Sequence, residues 1–118
     1  MRSKEEVYDA FAELIYCVVM ADGEIKETEQ AAIKTIVKNH PIGGAIQKYF
    51  DSKNKDISIV QSFLHTLEIC KEHGADDEYP FLLAIIEVIS KVSEGLDEGE
   101  DGLLAQFILN FKRRFSLN

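Results

Sequence analysis

Between two apolar runs the chain carries Ala21-Asp22-Gly23-Glu24-Ile25-Lys26-Glu27-Thr28-Glu29, which sets Asp22, Glu24, Glu27 and Glu29 around one glycine. A second acidic break, Ser93-Glu94-Gly95-Leu96-Asp97-Glu98-Gly99-Glu100-Asp101-Gly102, interrupts the apolar pattern late in the chain. Clustered carboxylates repel one another unless a cation or solvent intervenes, and hard divalent cations such as calcium and magnesium take oxygen ligands. The chemistry on offer is weak divalent-metal binding. The plainer alternative is a glycine turn followed by helix caps.

Asp22-Gly23-x-Ile25-x-x-x-Glu29 spells the second half of a twelve-residue EF-hand loop. The first and third positions of that loop would be Val18 and Met20, which supply no oxygen ligand, so an EF-hand is not expected. Capping accounts for part of both breaks. Asp97 and Glu100 have the D-x-x-E spacing of a reciprocal capping pair, and Glu29 gains from the positive end of a helix dipole. Lys26, however, stands where a capping side chain belongs and cannot accept a hydrogen bond. Asp22 and Glu24 are left with turn propensity alone.

The two breaks echo each other. CVVMADGEIKETEQAAIKTIV sets beside ISKVSEG-LDEGEDGLLAQFI with one residue deleted, pairing Asp22 with Glu94, Gly23 with Gly95, Ile25 with Leu96 and Glu29 with Glu100. If the echo is an internal repeat, two helix-turn-helix units bring their acidic turns to one end of the molecule. The candidate metal ligands are then Asp22, Glu24, Glu29, Glu94 and Glu100.

The elements that must position them read as helices throughout. Ser3 and Glu6 make an S-x-x-E capping box ahead of Val7, Phe11, Leu14 and Val18, predicting a helix over Lys4 to Met20. Ile33, Ile36 and Val37 predict a second over Glu27 to Lys38, stopped by Asn39-His40-Pro41. Ile46, Tyr49 and Phe50 predict a short third helix, opposed at its start by Gly43-Gly44 and followed by a polar turn at Ser52 to Asp56. A fourth, marked by Ile59, Val60, Phe63, Leu64 and Leu67, ends at His73-Gly74, where glycine can take the left-handed terminal conformation. Asp76-Asp77-Glu78 and Pro80 open a fifth whose broad stripe from Leu82 to Val92 predicts a central, buried helix. Leu103, Leu104, Phe107, Ile108 and Phe111 make the last, closed by the basic Lys112-Arg113-Arg114. No period-two alternation persists, so the fold class is all-α: one compact bundle of about six helices over residues 1–118, with two pseudo-symmetric halves if the echo is real.

At 118 residues and 46% hydrophobic content the chain suits a single domain. Its 21 acidic and 13 basic residues leave a formal charge of -8, which disfavours nucleic acid and anionic membranes. Cys17 and Cys70 lie in apolar helical runs and read as reduced, packed thiols. The start MRSKEEVYDAFAEL is charged where a signal peptide needs apolar residues, and no run reaches membrane-span length, so a cytoplasmic protein is expected without membrane insertion. Cys70-x-x-His73 has zinc-like spacing but no second pair follows. No G-x-S-x-G turn or phosphate loop occurs, and His40, His65 and His73 sit beside no evident nucleophile. An enzyme is not expected.

At ADGEIKETE, flanked by apolar helices, the chain resembles the tellurite-resistance TerB-like family of small all-helical bacterial proteins. The likeness is strongest over Val18 to Val37, lesser over Leu82 to Phe111 and weak from His40 to Asp76. It implies a bundle of two pseudo-symmetric halves, acidic turns that bind divalent metal, and a role in tellurite or other chemical stress. By position, Asp22, Glu24 and Glu29 match the family's first motif, and Glu94 and Glu100 its degenerate second. Two departures stand out: Lys26 replaces a small hydroxyl residue, and Glu94-Gly95-Leu96 lacks one carboxylate of the acid-glycine-acid form. The competing expectation is a helical interaction domain whose acidic surface docks a basic protein partner, with no functional metal.

Overall fold

Reciprocal caps set where several helices begin. Ser3 Oγ accepts from the Glu6 N–H at 3.2 Å while Glu6 Oε1 accepts from the Ser3 N–H at 3.2 Å, and helix α1 runs Lys4–Val19. In the computed structural model, which describes residues 2–21, 23–52, 58–93 and 95–117, five more helices follow: α2 Glu27–Ile36, α3 Ile42–Ser52, α4 Ile59–His73, α5 Tyr79–Val92 and α6 Glu98–Arg114. Ser58 and Gln61 make a second such box at α4, and Asp97 and Glu100 a third at α6. No strand occurs among the described residues. The fold is an all-helical bundle, as the periodicity predicts.

The boundaries differ in instructive places. Helix α2 ends at Ile36, two residues short of Lys38, because Asn39 takes a left-handed φ of 63° that its short polar side chain tolerates. Helix α3 begins at Ile42 and so includes Gly43-Gly44. The Ile42 N–H is capped by His40 Nδ1 at 3.1 Å, and the first turn of a helix is where weak formers cost least. Helix α6 begins five residues before Leu103, its cap outweighing the low propensity of Gly99 and Gly102. Gly74 ends α4 with φ 96° and ψ -170°, an extended positive-φ state reserved to glycine rather than the left-handed helical one. Of the polar turn expected at Ser52 to Asp56, Ser52 closes α3 and residues 53–56 lie outside the described residues.

Helix α5 is as buried as its stripe predicts: Leu82, Leu83, Ile85, Ile86 and Ile89 are all in the core. It shares the centre with α1, which packs against α3, α4 and α5, while α2 packs on α5 and α6 on α4. Between them lies an aromatic core, with Phe11 edge-on to Phe111 at 5.8 Å, Phe111 edge-on to Tyr79 at 5.1 Å and Phe63 stacked on Phe107 at 4.9 Å. Each fully buried ring of this kind contributes about 2 kcal/mol by area, with more from edge-to-face geometry. Tyr79 keeps its hydroxyl satisfied by donating to the Gly74 carbonyl at 2.5 Å. Cys17 and Cys70 are buried thiols outside any disulfide, pushed up by burial to about 11 and about 12. No helix among the described residues is long and apolar enough to cross a membrane.

Candidate functional site

The two acidic breaks lie at the same end of the bundle. Helix α1 ends at Val19 and α5 at Val92, and the buried Ser93 Oγ donates to the Val18 carbonyl at 3.5 Å, tying one terminus to the other. The same oxygen accepts from the Gly95 N–H at 3.4 Å. A groove of about 450 Å³ continues the junction, with Tyr16, Cys17, Met20 and Gly23 on one side and Ser58, Ile59 and Glu100 on the other. Gly23 and Glu100, from the two echoing turns, therefore line one surface. Gly23 holds φ 91°, as its place in the turn requires, and its N–H donates to the Met20 carbonyl at 2.9 Å.

Glu29 departs most from a simple cap. Its Oε1 accepts from the Lys26 N–H at 2.8 Å, giving half of a capping box, since an ammonium side chain cannot accept in return. Yet Glu29 is 0% exposed, and its Oε2 is buried with no hydrogen-bond partner among the described residues. A buried polar atom left without a partner costs about 1–3 kcal/mol, more when it carries charge. The arrangement can accept a cation or a hydrogen-bond donor at Oε2.

The other candidates divide. Glu24 is exposed, and Glu100 has its Oε1 engaged by the Asp97 N–H at 3.1 Å, so capping uses one of its oxygens. Asp22 and Glu94 lie outside the described residues, and Glu98, beside Glu100 in the second break, is exposed. No group of three or more His, Cys, Asp or Glu side chains with metal-holding geometry occurs among the described residues.

At the opposite end, sequence spacing carries no sign of a second ionic cluster that the fold assembles. Lys4 on α1 bonds both oxygens of Asp76 at 2.7 Å and Glu78 at 2.9 Å. Glu78 also accepts from the Tyr8 hydroxyl and, at 2.5 Å, from His40 Nε2. Because His40 Nδ1 accepts from the Ile42 N–H, the ring satisfies both contacts as the Nε2–H tautomer. His73 faces two acceptors, the Arg2 carbonyl and Asp76 Oδ2, each at 2.9 Å, so only its imidazolium satisfies both; these contacts raise its pKa. This occupies both nitrogens of the histidine in Cys70-x-x-His73.

The acids here are held strongly ionised. Tyr8, His40 and Lys4 together bring Glu78 down to about 2. Burial pushes Asp76 up, but Lys4, the Glu78 N–H and His73 outweigh it and bring that carboxyl to about 2 as well. Lys4 is raised in return, against its own desolvation. Donors and acceptors match throughout, so the cluster is a clamp joining α1 to the α2–α3 and α4–α5 connections.

Set against family models, curated proteins and solved structures, the chain matches none.

Proposed function

We propose that this chain is a non-enzymatic, TerB-like module whose acidic turns bind a divalent cation, calcium or magnesium, weakly, in a cytoplasmic response to tellurite or related chemical stress. The observation that carries the proposal is Glu29: a fully buried carboxylate whose Oε2 has no partner among the described residues, at the end of the bundle where the second acidic turn also arrives. Hard cations select such oxygen donors. Glu29 is the buried ligand in this reading, with Asp22 and Glu24 from its own turn and Glu94 and Glu100 from the other completing the shell. A site drawn from two loops and partly exposed fits the weak end of calcium affinities, about 10⁻⁴ to 10⁻³ M.

Titrating calcium, magnesium and manganese into the protein while following backbone amide resonances tests this. The expected result is saturable shifts at Gly23 to Glu29 and near Gly95, lost in Glu29→Gln. No movement there at millimolar metal would sink the proposal.

The second reading is an acidic docking surface for a basic protein partner. The net charge of -8 and the exposure of Glu24 and Glu98 favour it. It predicts a pull-down with a basic partner that Glu24→Gln weakens and chelators leave unchanged.

A further inference from the structure

Helices α4 and α6 leave an apolar face uncovered. Ser58 and Ile59 at the start of α4 share a groove with Glu100 at the start of α6, and further along Leu67 and Asn110 share another, so the two helices run side by side in the same direction. The second groove holds about 180 Å³ over a floor of Phe63 and Phe107. Its rim includes Leu64 at 65%, Leu103 at 46% and Val60 at 42% exposure, three of the five large apolar side chains that stand so far into solvent among the described residues. Gln106 and Asn110 cross its middle, joined at 3.1 Å.

The charges along this face are polarised. Helix α6 opens with exposed Glu98 and closes with exposed Arg113 and Arg114, more than 20 Å away at about 1.5 Å per residue. Lys71 on α4 adds to the basic end, with Glu68 one turn before it.

We infer that this face pairs with a second copy of the chain as an antiparallel homodimer, the two-fold axis lying in the contact plane and crossing the helices near Leu64 and Gln106. Two orientations of such an axis are available to a self-complementary face. An axis along the helices lays acidic end beside acidic end and basic beside basic, which repels. An axis across them sets Glu98 of one copy against Arg113 and Arg114 of the other, twice, while Leu64 meets Leu64 and Gln106 meets Gln106. Two helices about 22 Å long present roughly 450 Å² of footprint, about half the 800 Å² per partner of a standard interface. The dimer is therefore weak, with dissociation in the range of about 10 µM to 1 mM.

Sedimentation velocity on the full chain from about 10 µM to about 1 mM tests the pairing over that range. The sedimentation coefficient should rise with concentration in the wild type and stay at the monomer value in Leu64→Glu, whose exposed position leaves the helical circular dichroism unchanged. Arg113→Glu and Glu98→Arg should each weaken pairing about threefold to tenfold, since symmetry counts each contact twice, and the double variant should regain it. Gln106→Cys should give a disulfide-linked dimer under mild oxidation. A wild type monomeric throughout, or one whose pairing Leu64→Glu leaves intact, overturns the inference. Failure of the double charge variant to recover overturns the antiparallel arrangement.

Discussion

The two ends of the α1 rod, about 24 Å apart over its 16 residues, handle carboxylates in opposite ways. At the Lys4 end Asp76 and Glu78 each meet several donors, and the acids are brought down to about 2 by those contacts. At the Val19 end Glu29 is more deeply buried than either, yet only one of its oxygens is engaged among the described residues. Burial alone therefore does not tell a fully satisfied acid from a half-satisfied one. The balance of donors does: it is complete at the Lys4 end and incomplete at Glu29 among the described residues.

The sharpest way to break that contrast is to unbalance the complete end. Glu78→Ala removes the shared acceptor of Lys4, Tyr8 and His40 and should cost about 2 kcal/mol, a fall in Tm of roughly 8–10 °C by calorimetry, after discounting for the partial exposure of the carboxylate.

The clamp should also show in the pH dependence of the urea midpoint, with an effect somewhat smaller than that of Glu78→Ala. Asp76 and Glu78 have folded values below their ordinary 3.8 and 4.5, so their contribution is full above pH 4.5 and is lost as pH falls toward about 2. His73 is raised above its ordinary 6.5, so its contribution is full below that and is lost as pH rises through the higher folded value. The clamp is strongest between about pH 4.5 and 6.5, and Lys4→Met should flatten the acid limb.

The smallest effect belongs to the other end. In metal-free buffer Glu29→Gln keeps an acceptor for the Lys26 N–H and exchanges one partnerless buried polar atom for another, so stability by urea titration should change by less than about 0.5 kcal/mol. A loss of 2 kcal/mol or more would mean that Glu29 is as well satisfied as Glu78, and the contrast between the ends would be gone.

Much of the fold is legible because helices are announced locally. The S-x-x-E of Ser3 and Glu6 and the D-x-x-E of Asp97 and Glu100 each place a helix start within four residues, and Ser58-Ile59-Val60-Gln61 obeys the same rule. The stripe of α5 carries its burial in its own spacing. The clamp is illegible for the opposite reason: Lys4 meets Asp76 across 72 positions and His40 meets Glu78 across 38, pairings that arise only once α1, α4 and α5 have packed. The convergence of the two turns is half legible, since the echo suggests it but the bond from Ser93 to Val18 that fixes it has no sequence signature.

The burial of Glu29 did leave a trace. Glu29, Ile33, Ile36 and Val37 share one helical stripe at i, i+4, i+7 and i+8, and an acid on an apolar stripe is an acid in the core. Reading Glu29 only through the helix dipole sets that spacing aside.

Each end of the rod also carries its own reporter. Cys17 lines the groove beside Gly23, and Cys70 lies under Tyr79, whose hydroxyl reaches the Cys70 carbonyl at 3.3 Å. Both thiols are buried and raised, hence inert to alkylation until the structure around them opens. The natural chain thus supplies two independent clocks, one for breathing at the acidic groove and one for breathing near the clamp, without any label being introduced.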